Sequence, residues 1–302
     1  MNLCIVGSVA FDTLFTPEGK RERIMGGSAA YASLAASKFC NPAICSIVGF
    51  DYPTQYISLL NKNKINTDDL QKSSSENTFH WIGSYLKNIN MAETIETKIG
   101  VLEHFQPKLN TNNSKADILL CANNSPSSQI TALQQSKAKI KALDSMNLWI
   151  STQKEILLQA LSQVNIAFIN DAELKQLTGE YNLIQAAHKL LESIPSLKYL
   201  VLKKGEFGAA IFGKKTQEYF SISAFPLKLV KDPTGAGDSF AGSFLGYLST
   251  KLLSWQNIKE ALLIGTVVSS FTVEDFGPDS LIKATTKQIE QRLNLLKSYS
   301  TL

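Results

Sequence analysis

Histidine and arginine are scarce in this 302-residue chain. His80, His104 and His188 lie far apart, and the only arginines are Arg21, Arg23 and Arg292. The four cysteines, Cys4, Cys40, Cys45 and Cys121, form no CxxC pair. They read as buried reduced thiols, so neither a disulfide framework nor a structural zinc site is expected. Charge of one sign is lacking too: 30 Lys+Arg against 26 Asp+Glu leave a formal charge of +4. The nearest approach to a basic block, Lys20-Arg21-Glu22-Arg23, is broken by its own glutamate, and a nucleic-acid partner is not expected. The most apolar window lies between Glu260 and Glu274 and is too short to span a bilayer. Met1-Asn2-Leu3 runs straight into a strand-like stretch and reaches Asp12 before any leader-like apolar region develops. The expectation is a cytoplasmic protein with no membrane partner. No repeat, low-complexity tract or Pro/Gly/Ser linker divides the chain, so residues 1–302 are expected to form one domain with a sizeable core.

What is present is an alternation of short β-rich runs and helical periods. Leu3-Cys4-Ile5-Val6-Gly7, Ile44 to Val48, Asp117 to Cys121, Ile140 to Asp144, Ile166 to Asn170 and Tyr199 to Lys203 read as buried strands. Residues 28–39 read as a helix with Ser28 at its N-cap, and Ala172 to Leu177 as another closed by Gly179. Continuous apolar strands alternating with helices predict an α/β fold, a mainly parallel sheet covered on both faces. Residues 78–101 break this rhythm. Thr78 to Ile82 and Thr94 to Ile99 alternate around the Asn88-Ile89-Asn90 turn region, which is a hairpin pattern. It predicts a small antiparallel sheet, either a plain edge hairpin or a lid over a site.

The strongest chemical signal is Asp232-Pro233-Thr234-Gly235-Ala236-Gly237-Asp238-Ser239-Phe240. Phe240, Phe244, Tyr247 and Leu248 follow at helical spacing, so a helix begins at or near Gly237. A small-residue loop entering a helix exposes backbone N–H groups and the positive end of the macrodipole, which makes an anion site. Gly235 and Gly237 let the backbone approach a phosphate closely. A carboxylate beside an anion repels it, so Asp238 makes sense as a base that takes the proton of an attacking hydroxyl.

This nonapeptide resembles the C-terminal signature of the ribokinase (PfkB) family of carbohydrate and nucleoside kinases. Gly26-Gly27 resembles the family's N-terminal glycine pair, so the resemblance covers essentially the whole chain. It implies a doubly wound, mainly parallel sheet with helices on both faces and a small antiparallel β lid, built here from about 12–25 and 78–101. It implies an ATP- and magnesium-dependent kinase that phosphorylates a hydroxymethyl group of a sugar or sugar-like acceptor. Asp238 would be the base, and the N–H groups of Gly235, Ala236 and Gly237 would hold the transferred group. A monovalent-cation requirement is left open.

By the same resemblance, Asn170-Asp171-Ala172-Glu173 is similar to the family's N-x-x-E element, with Glu173 acting on magnesium through water and Asn170 beside it. Taken by itself, the same segment also reads as Asp171 capping a helix with Glu173 in its first turn. Lys203-Lys204-Gly205-Glu206-Phe207-Gly208 is similar to the nucleotide loop, which implicates Lys203, Gly205 and Gly208. Thr234, Val267 and Phe271 are the remaining nucleotide candidates, the last two as adenine walls. Acceptor candidates are Asp12, Gly26, Gly27, Tyr31, Trp81, Asn123 and Asp144. Two departures from the family pattern bear on the acceptor. Tyr31 stands where sugar kinases usually carry asparagine, and Asp144-Ser145-Met146-Asn147 lacks the arginine that often follows. Both argue against plain ribose or fructose. A phosphosugar needs a cationic cluster, for which only Arg21 and Arg23 lie near the expected lid. A nucleoside is the alternative acceptor, with Tyr31, Phe79, Trp81 or Tyr85 available to stack on its base. A serine hydrolase built on Gly237-Asp238-Ser239-Phe240-Ala241 lacks the second glycine and any histidine after His188. A nucleotide sensor without turnover is argued against by Asp238. A homodimer through the lid sheet and a monomer both stay open.

Overall fold

The structure, a computed structural model, describes residues 1–215 and 218–299. The chain opens with β1 (Leu3–Val6), β2 (Ala10–Thr16), β3 (Gly19–Gly26) and α1 (Ser28–Ala36). β4 (Ala43–Val48), α2 (Thr54–Lys62) and β5 (Asn66–Lys72) lead to β6 (His80–Ser84) and β7 (Glu93–Lys98). Then come β8 (Ile118–Cys121), α3 (Pro126–Gln135), β9 (Ile140–Asp144), α4 (Asn147–Thr152) and α5 (Lys154–Leu161). They are followed by β10 (Ile166–Asn170), α6 (Asp171–Thr178), α7 (Leu183–Ser193) and β11 (Tyr199–Lys203). β12 (Ala209–Gly213), β13 (Tyr219–Ile222), α8 (Ala236–Leu248), α9 (Trp255–Thr272), α10 (Asp279–Lys283) and α11 (Thr286–Tyr299) complete it.

The strands form two sheets. The nine-stranded one runs β13-β12-β11-β10-β9-β8-β1-β4-β5, parallel from β11 to β5 with β12 and β13 antiparallel at one edge. β1 and β8 are buried along their whole length, as strands covered on both faces must be. The smaller sheet runs β3-β2-β6-β7; β2 and β6 pair in parallel at its centre and the outer pairs are antiparallel. This is the ribokinase-like arrangement expected from the sequence. No helix among the described residues is long and apolar enough to cross a membrane.

Helix α8 is fixed in two directions. Its small residues let α1 approach: a Cβ on Gly242 would stand 2.0 Å from the Ala32 carbonyl oxygen. On its other side Phe244 meets Phe168 of β10 edge to face at 5.3 Å. The predicted 28–39 helix ends three residues early, and its N-cap is Gly27 (φ 98°) rather than Ser28. Ser28 instead exchanges hydrogen bonds with Ser8 and donates to the Asn123 carbonyl at 2.8 Å. A side chain at Gly27 would strike the Ser8 carbonyl, so only glycine lets the chain turn there.

Candidate active site

The loop from Asp232 to Gly235 delivers α8 to the carboxyl ends of β1, β9, β10 and β11, where open α/β sheets place ligands. Asp232 is fully buried and shapes this loop. Its Oδ1 accepts from the Thr234 N–H and its Oδ2 from the Gly277 N–H, each at 2.9 Å. The carboxylate therefore ties the anion loop to the turn between α9 and α10. The sequence reading assigned Asp232 no role, although it opens the signature. Gly235 takes φ 76°, and a Cβ there would lie 2.4 Å from the Tyr31 ring. The ring thus supports the glycine loop from below. Its hydroxyl is buried with no hydrogen-bond partner, and burial, Asp232 and Asp12 all push its pKa up.

Asp238 lies in the first turn of α8, half-buried, with its pKa pushed up to about 7. Burial is the main cause; Asp144 adds to the shift and Lys203 opposes it. Facing it from the small sheet is Asp12, 4% exposed, whose pKa is raised by burial and by Asp232 and Asp238. Gly26 makes room for the Asp12 carboxylate, since a Cβ there would lie 2.0 Å from Oδ2. Trp81 pairs with Asp12 across β6 and so shares its face of the sheet. The Trp81 ring lies over Gly83, and Tyr85 meets it edge-on at 6.4 Å. The Tyr85 hydroxyl accepts from Thr234 Oγ1 at 3.1 Å, which brings the small sheet onto the anion loop. A second tie follows, as Asn90 Nδ2 donates to Glu206 at 3.0 Å. Neither tie was read from the sequence, because each joins segments more than a hundred residues apart.

At the strand ends, Asn170 and Glu173 form a capping box. The Asn170 N–H donates to Glu173 Oε2 at 2.9 Å, and the Glu173 N–H donates to Asn170 Oδ1 at 2.8 Å. The cap is therefore Asn170, not Asp171. Burial raises Glu173 to about 7 against the pull of Lys203. Lys203 donates to both oxygens of Asp144, at 2.7 and 2.6 Å. Gly205 and Gly208 take φ 53° and 86° in the turn after β11, where a Cβ on Gly208 would lie 2.1 Å from the Ile222 carbonyl oxygen. A cavity of about 640 Å³ opens beside this turn, walled by Phe207, Phe220, Ile222 and Leu263 with Lys204 and Lys297 at its edge. Val267 does not line it, being fully buried in the core, and Phe271 lies under the Arg292 guanidinium at 3.6 Å. Asn123 spends its amide on Trp149, at 2.9 Å, and on Met146.

The arginines form no cluster. Arg23 pairs with Asp51 at 2.9 Å and stacks on Phe11, whose side chain leaves β2 on the face opposite Asp12. Arg21 lies over Phe276, and Arg292 grips Glu274. A second cavity, of about 420 Å³, lies beside Arg23, Asp51, Thr78 and His80; of the residues the sequence pointed to, it includes Arg23 and none of the other acceptor or nucleotide candidates. Among the described residues no three acidic, histidine or cysteine side chains gather as a metal cage.

The family profile described as pfkB family carbohydrate kinase matches residues 2–285. A cytidine kinase of Thermococcus kodakarensis is 27% identical over 82% of this chain and 88% of its own length. A nucleoside kinase of Methanocaldococcus jannaschii is 25% identical over 95% of each chain. The crystal structure of the M. jannaschii nucleoside kinase, described as an archaeal member of the ribokinase family, superposes with a TM-score of 0.79 at 22% identity, covering 98% of this chain and 99% of that one. An Escherichia coli chain of the ribokinase type, solved in complex with ATP and Mg2+, gives 0.77 at 18% identity, covering 97% and 99%.

Proposed function

The chain belongs to the pfkB family of carbohydrate kinases, ATP-dependent phosphotransferases acting on hydroxyl groups, and we propose that its acceptor is a nucleoside. The observation that carries this reading is that Asp12 and Asp238 act on each other electrostatically while Tyr85, with Trp81 edge-on beside it, bonds to Thr234 of the loop that starts α8. The acceptor's hydroxymethyl group points at Asp238, Asp12 receives its other hydroxyls, and the two aromatic residues offer a surface for a base. Full-length resemblance to cytidine and nucleoside kinases supports the same acceptor. A phosphosugar fits poorly, because the arginines are engaged elsewhere.

In the transfer, Asp238 takes the hydroxyl proton while the acceptor oxygen forms its bond to the γ-phosphorus. The bond from that phosphorus to the bridging oxygen breaks, and the electron pair leaves on ADP. A base near pKa 7 is matched to neutral pH, where it is ionised in about half the molecules yet still holds a proton well. The Gly235, Ala236 and Gly237 N–H groups and the positive end of α8 face the charge that develops on the phosphoryl oxygens. Lys203, Asn170 and the Gly205–Gly208 turn serve the nucleotide side, and the apolar cavity beside Phe207 takes the adenine. Magnesium, when bound, would neutralise the phosphates, and Glu173 with Asn170 would hold it through water. The residues fit it through water, since Asn170 engages Glu173 through only one oxygen and no three-residue cage exists among the described residues. The small sheet acts as a lid that excludes water from the transfer, and its outer strand β7 is the surface through which a homodimer would form.

The test is magnesium- and ATP-dependent ADP release over nucleosides, free sugars and phosphosugars, in potassium and in sodium buffer. Turnover on nucleosides that disappears in Asp238→Asn is expected. Turnover on sugars alone would overturn the acceptor, and undiminished turnover in the variant would overturn the base.

A further inference from the structure

Asp144 ends β9 and Lys203 ends β11, with β10 between them. The lysine side chain crosses the end of β10 and meets both carboxylate oxygens. The pair is sheltered, with side-chain exposures of 17% for Lys203 and 3% for Asp144. The Ser145 N–H also donates to Oδ1, at 2.9 Å. Three of the roughly four acceptor positions of the Asp144 carboxylate are thus taken up by its own protein.

The same ammonium lies against the first turn of α8, where a Cβ on Gly237 would stand 3.1 Å from Nζ. Asp144, Glu173 and Asp238 all act on it electrostatically. One carboxylate thus grips the lysine and two more act on it at the place an anionic phosphoryl group must enter, and each of them, when ionised, repels that group. Fixed positive charge has to offset the repulsion at the point of transfer. A lysine is a point charge on a flexible four-carbon stem, so its position depends on what grips it. We propose that Asp144 is a positioning residue, which by gripping Lys203 with both oxygens fixes that ammonium beneath the Gly237 turn to meet the transferred phosphoryl group. The role rests on the kinase reading above, and it replaces the acceptor contact that the sequence suggested for Asp144. A buried ion pair alone says little about stability, because desolvation offsets the attraction; its placement under the anion loop is what gives this one a function.

The test is a double-mutant cycle of Asp144→Asn and Lys203→Met, measured once on kcat and KM and once on Mg·ATP affinity. Misplacing a catalytic charge by an ångström costs on the order of 10²-fold, so Asp144→Asn alone should lower kcat by about 10- to 100-fold. The acceptor KM should hold within about twofold, and Mg·ATP binding should weaken by about threefold or more. In the Lys203→Met background the same substitution should change neither constant by more than about twofold, because nothing is left to position. Asp144→Glu should recover part of the lost rate. The groups facing Asp238 are Asp144 and Lys203 from the large sheet, Asp12 and Tyr85 from the small one, and Tyr31 from α1. Removing the Asp144 charge should move the acid limb of the rate profile to lower pH, a shift that simple loss of packing would not give. An acceptor KM raised about tenfold at unchanged kcat, equally in both backgrounds, would overturn the proposal and restore acceptor binding. If the wild type phosphorylates no nucleoside, the reading above fails, and the affinity cycle still decides here: additive effects refute the positioning role. If Asp144→Asn folds poorly with its lysine unpaired, Lys203→Met leaves only a carboxyl that can take up a proton, and the double variant leaves neither charge. Different kcat or affinity between those two would refute the proposal as well.

Discussion

The two sheets differ in how completely the core holds them. Strands of the large sheet such as β1 and β8 are buried end to end, and its carboxyl edge carries the carboxylates and lysine of the site on an apolar scaffold. The small sheet has one strand, β7, exposed over its whole length. Its strands β2 and β3 join the core through Phe11 and Met25, and its remaining ties to the rest of the molecule include polar pairs: Tyr85 with Thr234, Asn90 with Glu206, and Arg23 with Asp51. Burial of apolar surface is worth far more than a hydrogen bond, whose net contribution is about 1 kcal/mol. One sheet can therefore hold groups in place while the other gives way, and substitutions should separate catalysis, fold and closure accordingly.

The largest effect belongs to Asp238. Its replacement by Asn should lower kcat by about 10²–10⁴-fold, the range of general-base assistance, without lowering the melting temperature. A parallel loss of stability would mean that the scaffold needs this residue, and the comparison would fail. Next comes Gly242→Ala on the scaffold itself. The added methyl would meet the Ala32 carbonyl oxygen at 2.0 Å, and backbone cannot swing aside as a flexible side chain can. Overpacking of this kind costs about 1–3 kcal/mol, so the urea midpoint should fall, and activity should fall too as α8 shifts under its loop.

A third test uses pH. Asp238 and Glu173 are both raised to about 7, chiefly by burial. A carboxyl with a raised folded-state pKa favours folding fully below its ordinary range, and that contribution is lost as pH rises through the folded value. The melting temperature of the ligand-free protein should therefore show a component that falls between about pH 4 and 7. Asp238→Asn and Glu173→Gln should each flatten that component. Unchanged slopes in both variants would show that burial is not what holds the two groups protonated. Smaller again is Tyr85→Phe, which removes one hydroxyl between the sheets. A net loss of about 0.5–1.5 kcal/mol predicts kcat/KM for the acceptor lower by about 2- to 12-fold, with the melting curve unmoved.

Legibility in the sequence followed the same division. The six parallel strands of Leu3, Ile44, Asp117, Ile140, Ile166 and Tyr199 could be read because burial on both faces leaves continuous apolar runs. The start of α8 could be read because glycine spacing and helical periodicity meet at Gly237. Long-range pairings leave no such local mark. Nothing beside Asp144 says that its partner is Lys203, and nothing beside Tyr85 names Thr234. Asp232 stood inside the signature, yet its bond to Gly277 depends on how the α9–α10 turn folds back. Val267, expected as an adenine wall, is fully buried one helical turn beyond Leu263, which lines the cavity; periodicity alone does not tell which turn of an apolar helix reaches a cavity.

The smallest expected effect asks whether the small sheet closes as one body. Asn90 and Glu206 are both exposed, so deleting their hydrogen bond by Asn90→Ala should leave stability unchanged and alter kinetics by no more than about twofold to threefold. Which constant moves is the informative part. Glu206 belongs to the turn beside the cavity proposed for the nucleotide, whereas Tyr85 bonds to the loop on the side proposed for the acceptor. If Asn90→Ala raises only the KM for ATP and Tyr85→Phe only that for the acceptor, the sheet has two independent footholds and each substrate secures its own. If both variants raise both constants in the same ratio, the sheet rests on the site as a rigid plate, and the polar ties act together through closure.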